Sequence, residues 1–239
     1  MTTKTLFAAL AFSLAAAPLA AGEDPYQDLV DAIASEAYLT DGSEEEMRTV
    51  MRGEFERDPD MVEFEAECPG VFTALTDAMM PTLLRSHDRA VGEYRRDLLA
   101  LYRNRLSAED ARGAADFYAS ENGQALVRLA GDNAQYGNAM DDIFRTDNMV
   151  VSEESFAADK EATRDAVKAN MEPLLMREVG QQLMTEAWFA RVIALRPEMH
   201  ALELKLMNDD LTPEEDAEAD AAIDAALTVK LEECYPAGE

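Results

Sequence analysis

Positive charge is scarce in this sequence: 239 residues carry 21 Lys and Arg against 49 Asp and Glu, a formal net charge of −28. Nucleic-acid binding releases counterions through clustered Lys and Arg, and anionic headgroups are held the same way, so both partners are excluded as expectations. Histidine is nearly absent, at two residues. With only two cysteines and no C-x-x-C, there is no zinc-ligand spacing to read. Aromatic residues make up 7%, and 11 Gly with 9 Pro are too few for a loop-rich chain. The hydrophobic fraction is nonetheless 48%, too high for wholesale disorder, although alanine supplies much of it. A core of Ala, Leu, Met and Val is expected.

The N-terminus reads as a segment removed before folding. Lys4 is a short positive region, Leu6 to Ala17 an apolar one, and Ala20-Ala21-Gly22 a small-residue cleavage pattern before Glu23. Residues 1–22 are therefore expected to be a secretory signal peptide, placing residues 23–239 outside the cytoplasm, in a bacterial periplasm or beyond. No later stretch approaches a membrane span, so no integral membrane segment is expected after cleavage. In an oxidising compartment, Cys68 and Cys234 are most simply one intramolecular disulfide, with two free thiols or an intermolecular bridge as alternatives. A Cys68–Cys234 bridge would close residues 68–234 into one unit, with 23–67 as an N-terminal helical subunit packing outside it.

Helix signals recur along the whole mature chain. Asp24-Pro25 gives an N-cap and an N1 proline, with Gln27 placed for a capping box; Gly42 ends that helix and Ser43 with Glu46 starts the next. Pro69-Gly70 punctuates the chain, and a helical stretch from Val71 to Leu106 follows, which Pro81 is expected to kink or divide. Ser107 with Asp110 opens a helix to Tyr118 or Ala119, and Ser120 caps another. There Leu126, Leu129, Ala130, Asn133, Gly137, Met140 and Phe144 fall on one arc at about 100° per residue. Ser152 begins a further stretch, interrupted by Pro173 and stopped near Pro197, and Thr212-Pro213-Glu214-Glu215 starts the last helix. On it Ile223, Ala226, Leu227, Leu231 and Cys234 share a face. No strand alternation appears. The expected fold is all-α, a multi-helix bundle of antiparallel helices and helical hairpins.

The stretch from Glu93-Tyr94 through Tyr102, Leu106-Ser107-Ala108-Glu109-Asp110 and Phe117-Tyr118-Ala119-Ser120-Glu121-Asn122-Gly123-Gln124 resembles a family of secreted bacterial helical domains of unknown function. That family's pattern is an L-S-x-E-E/D helix start followed by F-Y-x-S-x-x-G-Q, and the match spans about residues 93–130. The resemblance implies a helical fold and an extracytoplasmic address, and transfers no catalytic residue. The residues themselves have a structural reading. Ala111, Ala114, Ala115 and Tyr118 share one helix face while Gly113 and Phe117 share another, so this short helix should be wedged between two neighbours. Ser107, Asp110 and Ser120 are caps, Gly123 lies where bulk is excluded, and Gln124 can bond back to the turn.

No catalytic set is assigned. Ser86-His87-Asp88 has the letters of a triad, but consecutive helical residues diverge by about 100° and cannot converge. Thirteen methionines invite a copper reading through Met47 and Met51, Met79 and Met80, or Met199 and His200. These pairs are scattered along the chain without a dense tract, so neither metal nor cofactor is assigned, and metal handling stays a minor alternative. The expected role is a non-catalytic binding or structural module for an unknown protein or apolar ligand. An apolar-ligand carrier or a carboxylate-dependent hydrolase is the alternative. The candidate surface is the Leu183 to Leu195 run, apolar around nearly its whole circumference, where Met184, Trp188, Phe189 and Arg191 combine the residue types enriched at interface hot spots. The competing reading is a central core helix.

Overall fold

A computed structural model describes residues 24–35, 39, 43–145 and 150–236. Residues 1–22, expected to be a signal peptide, and Gly42 lie outside the described residues. Among the described residues the protein is an all-α multi-helix bundle with no strand. The helices are α1 (Pro25–Ile33), α2 (Ser43–Arg57), α3 (Pro59–Glu67), α4 (Val71–Arg105), α5 (Ala108–Ala119), α6 (Glu121–Asp132), α7 (Gly137–Arg145), α8 (Glu153–Asn170), α9 (Pro173–Thr185), α10 (Ala187–Ala194), α11 (Arg196–Met207) and α12 (Pro213–Cys234). No helix among them is long and apolar enough to cross a membrane.

The 35-residue α4 is the spine, with α1, α2, α11 and α12 laid along it. Pro81 lies inside α4 and does not divide it. A mid-helix proline removes a hydrogen bond and costs roughly 3 kcal/mol; its neighbours Met79, Met80, Thr82 and Leu83 are all buried, and that packing offsets the loss. At the N-terminus the Asp24 side chain accepts from the Tyr26 N–H at 3.0 Å, as an N-cap should. Gln27 does not complete a capping box. Its amide donates to Asp31 one turn on, at 2.9 Å. Arg95 and Arg103 of α4 pair with Asp31 of α1 and its N-cap Asp24, and the Tyr26 hydroxyl donates to the Leu106 carbonyl at 3.2 Å, fixing α1 against the far end of α4.

Cys68 and Cys234 are joined, with Cα atoms 5.5 Å apart. Closing a loop of 166 residues stabilises by about 5 kcal/mol on loop entropy alone. The bridge ties the end of α12 to the α3–α4 corner, where Gly70 adopts φ 91° and the Glu65 carboxylate accepts from the Gly70 and Phe72 N–H groups at 2.8 Å each. The last helix faces α4 differently from the sequence expectation. Leu231 is 43% exposed, and it is Lys230 that lies nearer the centre of the Ile223–Cys234 stripe. At 100° per residue Leu231 stands about 80° from Ile223 but Lys230 only about 20° from it, so the arc including Leu231 was drawn too wide.

The helix expected from Ser120 through Phe144 is two. Helix α6 ends at Asp132 and α7 begins at Gly137. The break is made by a side chain from another helix: Asp159 of α8, 3% exposed, accepts from the Asn138 N–H at 3.0 Å and the Ala139 N–H at 2.8 Å, capping α7. Asn133 is satisfied inside the corner, its amide donating to the Leu129 carbonyl at 2.8 Å and its oxygen accepting from Asn170. Gly137, placed on the apolar arc by periodicity, is exposed. The stretch does stop near Pro197, at Ala194, and Pro197 itself sits in the first turn of the next helix, α11.

Among the described residues three apolar clusters result. The largest joins α1, the second half of α4, α5, α9 and α10. A second lies between α2 and the first half of α4, and a third among α7, α8 and the end of α11.

Candidate functional site

The residues singled out from sequence meet around α5. Its start is a complete capping box. The Ser107 hydroxyl accepts from the Asp110 N–H at 3.2 Å and donates to the Asp110 carboxylate at 2.7 Å, and the Ser107 N–H reaches the same carboxylate at 3.3 Å. Asp110, only 5% exposed, also receives the guanidinium of Arg191 from α10, through Nε at 2.7 Å and a second N–H. That fork-on-carboxylate contact, followed by the Ser107 bonds, holds the Asp110 carboxyl below its ordinary value. Arg191 is raised by the same pairing.

The other end of α5 turns sharply into α6. Ser120 ends one helix and caps the next: its hydroxyl donates to the Phe117 carbonyl at 2.6 Å and accepts from the Gly123 N–H at 3.2 Å. The Gln124 amide reaches back to the Tyr118 carbonyl at 2.6 Å. A Cβ at Gly123 would lie 2.7 Å from Tyr118 Cα and 2.8 Å from Phe117 C, with the Phe117 oxygen closer still. Only glycine fits this corner.

Between the two ends α5 is wedged as its composition predicts, with α1 on one side and α10 on the other. Ala111 and Ala114 are fully buried. At Gly113 an added Cβ would stand 2.5 Å from Trp188 Cδ1 and 2.9 Å from its Nε1, so the indole lies directly on the helix backbone. Phe117 meets the same indole at 5.7 Å between centroids, and Tyr118 and Phe189 extend the row at 5.1 Å from Phe117 and 6.0 Å from Trp188.

This placement corrects the expectation for residues 183–195. No single helix apolar on every side exists there, because Glu186 adopts an extended backbone (φ −87°, ψ 119°) and separates α9 from α10. Trp188, 5% exposed, belongs to the core, and Phe189 packs partly buried beside it. Arg191 is half-exposed but engaged with Asp110. Of the four candidates for a partner surface, Met184 alone stands free of the core, at 85% exposure.

No family model, curated protein or solved structure matches this chain. Its site must therefore be read from its own chemistry. Among the described residues no three His, Cys, Asp or Glu side chains converge as a metal-binding group. Ser86, His87 and Asp88 do not form a relay, since Ser86 receives Arg89 at 2.9 Å while Asp88 points outward with its side chain 66% exposed. A shallow groove between α4 and α11, with room for only about 10 Å³, is lined in part by Glu93, Asp97, Lys205 and Asp209, with Lys205 bonded to Asp97 at 2.7 Å.

Sequence reading missed the Asp110–Arg191 pair, which joins residues 81 positions apart. It also missed a grouping of thioethers. Met47 and Met51 of α2 and Met79 and Met80 of α4, scattered along the chain, share one buried cluster.

Proposed function

We propose that the protein is exported with loss of residues 1–22 and serves in the bacterial periplasm as a non-catalytic binding module. Its binding surface is made of the exposed apolar residues of α9, Leu174, Met176 and Met184. The observation carrying this reading is the exposure of Leu174 at 53%, Met176 at 44% and Met184 at 85% on one helix that buries only Val179 and Leu183. Methionine-bearing surfaces adapt to apolar partners because the side chain is unbranched and polarizable. Local charge supports the choice: α9 carries one Arg and one Glu in a chain of net charge −28. A partner is then a protein whose apolar anchors are framed by Lys or Arg, since an acidic protein would be repelled.

The export reading is supported by the composition of residues 1–22 and by the disulfide, which persists where the compartment is oxidising. The membership of residues 93–130 in the secreted helical family is part of the same proposal. The α5 capping box and the glycine-only corner at 123 support it by giving each motif residue a structural task. An apolar ligand carried inside the bundle is less well supported, because the α4–α11 groove has room for only about 10 Å³, far below the roughly 300 Å³ at which small-molecule sites begin, and Glu93, Asp97 and Asp209 are among its lining.

The test places a photo-activatable phenylalanine analogue at position 184, and separately at the exposed Glu214, in protein expressed in its own envelope. A discrete adduct from position 184, absent from position 214 and lost with Leu174→Glu and Met176→Glu, is expected. No adduct, or the same adducts from both positions, overturns the binding face. N-terminal sequencing of the exported protein should begin at Glu23 or within a few residues of it.

A further inference from the structure

The methionines of the second cluster are not distributed as core filler. Five methionines among the described residues are buried, and four of them, Met47, Met51, Met79 and Met80, fall in this one cluster, which has Leu83 as its only other buried member. Among the described residues the largest cluster has seventeen buried members and no buried methionine, relying on Leu, Val, Ala and aromatics. A chain that fills most of its interior with ordinary aliphatic residues has concentrated four thioethers between two helices. Their exposures are 5%, 2%, 5% and 3%, so the sulfurs are withdrawn from water.

Spacing explains how they meet. Met47 and Met51 are one turn apart on α2 and lie on the same face. Met79 and Met80 are adjacent on α4, ahead of the Pro81 position, and both turn toward the cluster. The four approach from two helices that pack against each other. Each methionine has three rotatable side-chain bonds, which lets its sulfur reorient within the cluster.

We infer that this cluster is a binding site for a soft monovalent cation, Cu(I) in the first instance, held by Met47, Met51, Met79 and Met80. This goes beyond the α9 binding face and does not depend on it. Thioethers are soft, neutral donors and select Cu(I) over Mg²⁺, Ca²⁺ or Zn²⁺, which need carboxylate, imidazole or thiolate. A monovalent ion also suits an uncharged site, because only one charge has to be desolvated. The net charge of −28 raises the local concentration of any cation at the surface. His87 is not a ligand: it lies seven residues beyond Met80, about 10 Å along the axis of α4.

Two measurements test the site. In the first, mature protein labelled with 13C at its methionine methyls is titrated anaerobically with Cu(I), or with Ag(I) as a redox-inert substitute. Shifts confined to Met47, Met51, Met79 and Met80, saturating at one equivalent, are expected. Shifts confined to the exposed Met176 and Met184, or no shifts, overturn the site. In the second, the protein competes for Cu(I) against a chromophoric chelator. The fourfold Met→Leu variant at 47, 51, 79 and 80 keeps core volume nearly unchanged and should bind at least tenfold more weakly than wild type. A fourfold Met→Leu control at 140, 171, 176 and 184 should bind as wild type does. Equal loss in both variants, or undiminished binding in the first, shows the cluster to be packing alone. Should the core variant not fold, the methyl shifts of the wild type still decide the matter.

Discussion

Replacing Gly123 with alanine tests the reading of the α5–α6 corner, because intrinsic propensity and tertiary geometry demand opposite signs. Alanine is favoured over glycine in a helix by up to about 1 kcal/mol, partly through the unfolded chain. At Gly123 the new Cβ meets backbone, with Tyr118 Cα at 2.7 Å and Phe117 C at 2.8 Å, and backbone cannot swing aside as a side-chain tip can. Helix α6 must move away from the end of α5. That movement breaks the Ser120 cap on the Gly123 N–H, worth about 1 kcal/mol, and the Gln124 bond to the Tyr118 carbonyl, worth about another. Residual overpacking adds at least about 1 kcal/mol. After the propensity gain is subtracted, Gly123→Ala should cost about 2–3 kcal/mol, or about 5–10 °C in Tm for a domain of this size. Gly180, inside α9, is the control: a Cβ there meets nothing within 4 Å, so Gly180→Ala should stabilise by about 0.5–1 kcal/mol. Urea unfolding followed by circular dichroism gives both values. If Gly123→Ala is neutral or stabilising, the corner does not require glycine and the structural account of the motif fails.

Two further predictions use the same unfolding assay. Trp188→Ala should cost about 3–5 kcal/mol, and Trp188 should emit in the blue, because the indole is 5% exposed against Gly113 and Phe117; red emission with a loss under about 1 kcal/mol would return Trp188 to the surface. His87 is 1% exposed, and burial pushes its imidazole below the ordinary value, with Asp88 opposing weakly. The unfolded chain then binds a proton that the folded one refuses, so stability is full above about pH 6.5 and is lost as pH falls toward the folded value. His87→Gln should flatten the slope of stability between pH 7.5 and 5.5, and an unchanged slope would refute the assignment.

What the sequence disclosed follows from the range of each interaction. The caps at Ser107, Ser120, Ser152 and Thr212 bond to groups three residues on, so local reading found them all. Gly113 was legible as a close-approach residue, though not which side chain approached it. The break after Asp132 was not legible, because the carboxylate that caps α7 arrives from Asp159 in a different helix. Pro81 failed as a boundary for a related reason: local cost was overridden by burial on both sides. The run from Leu183 to Leu195 misled because apolar content alone does not reveal an extended residue at Glu186, and a short helix pressed on α5 buries its tryptophan with less than a full circumference. The methionine grouping depends on α2 lying along the first half of α4, a tertiary fact with no local trace.

These particulars locate where function is to be sought. The α5 motif, the feature that first suggested a family, is fully occupied within the fold. Ser107 and Asp110 close one end with Arg191, Gly113 receives Trp188 in the middle, and Ser120, Gly123 and Gln124 close the other end. A motif whose donors and acceptors are spent on its own corner has few left for a ligand, so substitutions there should act through stability. Binding should instead respond to residues that the fold does not need. Met184 at 85% exposure is such a residue, and leucine could replace the four clustered methionines without loss of packing volume. A variant at Gly123 or Trp188 that abolished partner binding or Cu(I) uptake while leaving the unfolding curve unchanged would break this division between scaffold and site.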